Sequence, residues 1–239
     1  MLPELHAWIF GSAVQLDVIG SAGRALLLGH VLWILAYGLI LARSHRDRLI
    51  GIPLAAIFLN ISWEALVYSN CAGVATRDLC GPALTGEWSL ALAFVLGLDV
   101  LLLVQAFVLT GARIGYLKSA AIFGLALAVT YALHSGFVSL ALDYRGLVDS
   151  WIINLLMSAL FLHLAFSRPQ GEGLSLLAGI ARLLGSLLVA IGLWIAPEPY
   201  AIAGVRAGIV YGLVLATAVA DICYVIVLWR RQPVPDRTA

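Results

Sequence analysis

Residues Ile52 to Asn70 read IPLAAIFLNISWEALVYSN. A bilayer-spanning helix needs about 20 mostly apolar residues, and this stretch supplies them. Yet Asn60, Trp63 and Glu64 stand in its middle. A charged side chain at the centre of a spanning helix costs roughly 2.5–3.5 kcal/mol on insertion scales. Glu64 must therefore face a partner, a cavity or a substrate. Asn60 and Glu64 are four residues apart, so they share one face of the helix.

The rest of the chain agrees with this reading. Of its 239 residues 62% are hydrophobic and 11% are charged, against about 25% charged in soluble domains. The composition describes an all-α, polytopic membrane protein. Seven spans are expected, at roughly 25–43, 51–70, 88–110, 119–141, 148–167, 175–196 and 207–229. Short loops favour antiparallel neighbours in one seven-helix bundle, a single transmembrane domain over 1–239. Residues 1–22 mix Trp8 and Phe10 with Glu4, Gln15 and Asp17 and read as an interfacial or loosely helical lead. With its acids and no basic start, this lead does not resemble a cleaved signal peptide. A net charge of +1 gives no reason to expect a nucleic-acid partner.

Lys and Arg set the expected orientation. Arg43, Arg46, Arg48, Arg113, Lys118, Arg168, Arg230, Arg231 and Arg237 fall on one side. Only Arg24, Arg77, Arg145 and Arg206 fall on the other. The C-terminus is thus expected in the cytoplasm and the N-terminus outside. Cys71 and Cys80 share an outer loop, where a disulfide and two free thiols are both open readings.

Other spans carry polar residues as well. They are Asp99 and Gln105; Thr130, Tyr131 and His134; Trp151, Asn154 and Ser158; Arg182 and Ser186; and Asp221 and Tyr224. Glu64, Asp99 and Asp221 fall near mid-span, while His134 and Asn154 lie in the outward halves. These groups could line one cavity walled by Trp63, Tyr68, Tyr131, Trp151, Tyr211 and Tyr224. Each also has a plainer reading. Lone Asn, Ser, Thr or Gln residues commonly join helices. His134 reads as a hydrogen-bonded core residue, Trp151 as an interface anchor, and Arg182 as a side chain snorkelling to the headgroups. Asp99 reads equally as a structural partner of an Arg or Asn. Glu64 and Asp221 have no obvious basic partner, and a carboxyl kept neutral in an apolar pocket is a proton donor.

Several chemistries are disfavoured. Lys118 is the only lysine, so the last span has none for a retinal Schiff base. Aspartate-rich pairs for a Mg²⁺-bound diphosphate are missing, as are a nucleophile elbow and a His-Glu-x-x-His helix. Acid chemistry in an apolar chamber and proton-coupled transport remain. No internal repeat is evident, which counts against an inverted-repeat transporter. In a third reading, a non-catalytic scaffold, the acids only hold helices together.

Pro53…Asn60-Ile61-Ser62-Trp63-Glu64, Trp151…Asn154…Met157-Ser158 and the closing Asp221…Tyr224 resemble the small integral-membrane terpene cyclases of meroterpenoid and indole-terpenoid pathways. The likeness covers nearly the whole chain. It implies that Glu64 and Asp221 are essential for cyclisation, and that an acid protonates the terminal epoxide or alkene of a prenylated substrate. Ring closure then proceeds through carbocations, with no metal or other cofactor. Asn60, Trp63, Tyr68, Asp99, Tyr131, His134, Trp151, Asn154, Ser158 and Tyr224 are the substrate-pocket candidates. The expected geometry has Glu64 and Asp221 converging on one cavity, one acid orienting the other through Asn60 or a water.

Overall fold

The computed structural model describes residues 16–72, 87–141, 143, 146–168, 171–195 and 204–231. Seven helices run through them: α1 (Leu16–Asp47), α2 (Leu54–Ala72), α3 (Glu87–Ile114), α4 (Tyr116–Ala141), α5 (Leu147–Ser167), α6 (Leu176–Ile195) and α7 (Gly204–Arg230). Six of these are long and apolar enough to cross a membrane, and α2 contributes a shorter apolar helix over Leu54–Ser69. The protein is an integral, multi-pass membrane protein built as a helical bundle.

Helix α1 begins ahead of the expected span. Residues 16–22 of the lead are helical and continuous with the span that follows, although Asp17 and Ser21 interrupt their apolar run and Gly20 and Gly23 are weak helix formers. The lead's first fifteen residues, and the Cys71 and Cys80 side chains, lie outside what the structure describes.

Helix α1 packs most extensively on α6, α5 on α7, and α2 on both α3 and α4. The α1–α6 crossing is close because Gly29 meets Gly185. A Cβ on Gly29 would sit 2.8 Å from the Gly185 carbonyl oxygen, and one on Gly185 would sit 2.9 Å from that of Gly29. Small residues let backbones approach in a solvent that gives helices no hydrophobic reason to associate. Trp33 closes the same seam, its Nε1 donating to Ser186 Oγ at 3.3 Å.

Polar residues at other contacts join helices. Ser62 Oγ and Thr130 Oγ1 are 2.7 Å apart between α2 and α4, and Gln105 Nε2 donates to the Leu41 carbonyl at 3.1 Å between α3 and α1. At the end of the bundle holding most of the arginines, Pro53 starts α2 and lends its carbonyl to Ala56 N at 3.0 Å. There Arg168 Nη1 donates to the Ile50 carbonyl at 2.8 Å, tying the α5–α6 loop to the α1–α2 loop. Around α2 the core is continuous and apolar, with Ile57, Phe58, Ile61, Leu102, Phe123, Met157, Phe161 and Tyr224 in one cluster.

Candidate active site

Helix α2 presents Asn60 and Glu64 inward, one turn apart. Their side chains are bonded to each other, with Asn60 Nδ2 donating to Glu64 Oε1 at 3.1 Å. The same nitrogen donates to the Tyr37 hydroxyl oxygen of α1 at 3.0 Å and to Asp99 Oδ2 of α3. Glu64 is 2% exposed and Asp99 1%. Glu64 Oε2 and Asp99 Oδ1 are both buried and without a hydrogen-bond partner. Among the described residues no Lys or Arg forms an ion pair with either acid; the ion pairs there involve Asp47, Asp149 and Asp221. One amide group thus collects two carboxyls and a phenol from three helices.

The second polar cluster lies between α5, α6 and α7. Arg182 Nη1 pairs with Asp221 Oδ1. Its Nη2 donates to Ser158 Oγ at 2.8 Å and to the Asn154 carbonyl at 3.1 Å. The guanidinium carbon stands 5.2 Å from the centre of the Phe161 ring, within cation–π range. Phe161 in turn leans on Tyr224, ring centres 5.5 Å apart. Asp221 Oδ2 and Thr217 Oγ1, one turn apart on α7, are buried without partners.

Three expectations are corrected here. Arg182 does not snorkel: it is 6% exposed, on the α6 face that also buries Ala178, Gly179, Gly185 and Ser186. Consequently Asp221 has a basic partner. Asn60 does not orient Asp221 but serves Tyr37, Glu64 and Asp99. Glu64 and Asp221 share no hydrogen-bond partner. The two clusters adjoin through Tyr37, whose hydroxyl lies within electrostatic reach of Asp99, Glu64 and Arg182.

The remaining candidates distribute as follows. Trp63, next to Glu64, points its Nε1 at the Gly146 carbonyl at 3.0 Å. Gly146 has φ 64, and a Cβ there would come within 2.5 Å of Trp63 Nε1. Only glycine both takes that backbone turn at little cost and admits the indole. Trp151 is an interior residue packed with Leu26, Val189 and Val210, not an interface anchor. Asn154 and Ser158 do share a polar task, the binding of Arg182. His134 is buried and its Nδ1 bonds Asp149 Oδ2 at 2.9 Å, while its Nε2 is buried without a partner. Tyr68 and Tyr131 are exposed, at 37% and 42%, and belong to neither polar cluster. Tyr211 rests edge-on against Trp194, ring centres 5.1 Å apart.

Sequence reasoning missed Tyr37 and Asp149. Tyr37 has no acid within a helical turn to mark it. Asp149 sits in the first turn of α5, where an acid is ordinary, and it carries signal only once His134 is seen to face it.

A polytopic helical bundle with carboxyls sequestered among aromatic and aliphatic side chains is suited to acid chemistry on a lipid-soluble molecule. The family model of Pyr4-like transmembrane terpene cyclases matches residues 21–233, and the chain belongs to that family. No match was found among curated proteins or solved structures.

Proposed function

We propose that this transmembrane terpene cyclase works by the class II route. It protonates the terminal epoxide or alkene of a prenyl chain borne by a meroterpenoid or a prenylated indole, and closes rings through carbocations. The observation that carries the proposal is Glu64: a carboxyl buried in an apolar bundle, one oxygen on Asn60, the other unpartnered, with no cation paired to it. A carboxylic acid in such a place is held neutral and can donate. The expected absence of a metal follows from the chemistry, since no diphosphate leaves.

Glu64 gives up its proton in the first step, forming the new C–H or O–H bond as the π bond or epoxide C–O bond breaks. Asp221 takes a different part. It is paired with Arg182 through Oδ1, and its unpartnered Oδ2 can steady a passing cation or accept the last proton. Phe161 and Tyr224 border this acid and offer electron-rich ring faces. A prenyl tail dissolves in the bilayer, and exclusion of water protects the cations from early quenching. The Lys and Arg distribution supports a cytoplasmic C-terminus and an outer N-terminus.

The test is to incubate the purified protein in detergent micelles with prenylated indoles, quinones and phenols, with and without a terminal epoxide. Products isomeric with the substrate, separated by retention time and matched by mass, are expected from the wild type and lost in Glu64→Gln. Full turnover by Glu64→Gln removes the assignment. Uptake into proteoliposomes driven by a pH gradient, without conversion, would favour transport.

A further inference from the structure

Asn60 Nδ2 has three oxygens around it but only two hydrogens to give. Two of those oxygens belong to carboxyls, and the second oxygen of each is buried without a partner. Were both acids ionised, two negative charges would share an amide in a nonpolar interior with no paired cation. Like charges that close do not both ionise. The crowding is relieved when a hydrogen lies between Glu64 and Asp99.

We propose that Glu64 and Asp99 form one acid site holding a single proton between them, with Asp99 as the positioning residue that keeps this proton on Glu64. The inference rests on the cyclase reading above and adds how the donor is kept loaded. Asp99 differs from a lone buried acid in accepting from Asn60 and, in the proposed pair, from the Glu64 O–H as well, and hydrogen bonds to the charged form favour it. As an anion it raises the cost of Glu64 losing its proton to water. When a prenyl terminus arrives, the Glu64 O–H bond breaks and its hydrogen forms the new bond to carbon or to the epoxide oxygen. The electron pair stays on Glu64. After ring closure the final cation gives one proton to the Glu64 carboxylate, directly or by way of Asp221, so the reaction is a net isomerisation and the site regains its single proton.

The surroundings contain little else that titrates. From α1 the facing group is Tyr37, and from α3 it is Asp99. On α4 His134 is engaged with Asp149 of α5. On α6 and α7 Arg182 and Asp221 are engaged with each other. Tyr37 receives one Asn60 hydrogen, leaving its own hydroxyl hydrogen free to turn toward whichever carboxyl is ionised.

The full-length protein in detergent is compared as wild type, Asp99→Asn, Asp99→Glu and Glu64→Gln. In Asp99→Asn the neighbouring charge is gone and Glu64 loses its proton more readily. At neutral pH kcat is expected to fall about tenfold or more, within the range proton donation contributes to catalysis, with KM little changed. Acidification restores it, so the alkaline limb of the kcat profile moves to lower pH. Asp99→Glu returns the limb toward the wild-type position. An alkaline limb unmoved in Asp99→Asn, whatever its height, overturns the proposal.

Infrared spectroscopy supplies a readout that needs no turnover. The carbonyl stretch of a neutral carboxylic acid is expected in the wild type at neutral pH. Either Asp99→Asn or Glu64→Gln alone should shift or abolish that whole band. Loss of independent bands one at a time overturns the shared proton. If Asp99→Asn cannot be purified, Asp99→Glu decides it, because a shared proton shifts the band in that variant whereas an isolated Glu64 acid leaves it in place. Absence of any cyclisation by the wild type would strike the cyclase reading and leave the infrared result to judge the pair.

Discussion

Arg182 on α6 and Asp221 on α7 form an ion pair in the apolar interior of the bundle, completed by Ser158 and the Asn154 carbonyl of α5. Three helices are thereby fixed around one guanidinium. Removing one partner strands the other charge where no water solvates it, a loss of about 3–5 kcal/mol for a buried pair. Asp221→Ala and Arg182→Met should each lower the unfolding temperature in detergent. The double variant Arg182→Met/Asp221→Leu should regain much of that loss, because two matched apolar side chains can replace a buried pair. It should not regain turnover. Recovery of cyclisation together with stability would show that Asp221 acts only as a strut.

Glu64→Gln should behave in the opposite way. The amide is isosteric and finds Asn60 and Asp99 as partners, so thermal unfolding should stay close to wild type. Turnover should fall roughly 10²–10⁴-fold, the usual contribution of a positioned proton donor. Rate assays and thermal melts on the same preparation check both halves of the statement.

His134 and Asp149 join α4 to α5, and the Asp149 backbone N is itself held by Asp143 Oδ2 at 3.0 Å. Their expected role is structural. Asp149→Ala leaves the buried His134 Nδ1 unpartnered and should cost about 1–3 kcal/mol, read as a lower denaturation midpoint. The shape of the pH–rate profile should not change. A displaced alkaline limb would instead bring His134 into the chemistry.

Gly185→Val places side-chain atoms where the Gly29 carbonyl and the Trp33 indole already sit. Overpacking of this kind costs about 1–3 kcal/mol and should separate α1 from α6. Cysteines substituted at outward positions of the two helices should cross-link less efficiently in the variant than in the wild type.

Much of the architecture is legible in the chain because a bilayer demands long apolar helices and the loops between them are short. Glu64, Asn60 and Asp221 stand out for the same reason: a polar group at mid-span needs a partner. What the linear pattern withholds is who that partner is. Arg182 lies 39 residues from Asp221, and depth alone permits it to reach the headgroups. A usable clue was present, since Ala178, Gly179, Ala181 and Gly185 make a small-residue face around Arg182. Such a face packs on neighbours, and a long side chain rising from it points inward. No comparable pattern marks Tyr37. It enters the Glu64 cluster from α1, and the packing that carries it there is long-range. Asp99 could be singled out as polar, but its pairing with Glu64 through Asn60 depends on how α2 and α3 are rotated.

The Gly29–Gly185 crossing also bears on how the chain is made. Trp33 and Ser186, which seal that seam, are 153 residues apart. A ribosome releases α1 long before α6 exists. Through most of synthesis the notched side of the first helix is therefore covered by lipid or by the insertion machinery. Chains cut short after α5 carry Tyr37, Asn60, Glu64 and Asp99, which come from the first three helices, but lack the helix against which α1 seats, so the α1–α6 seam closes after the residues of the acid cluster are already present.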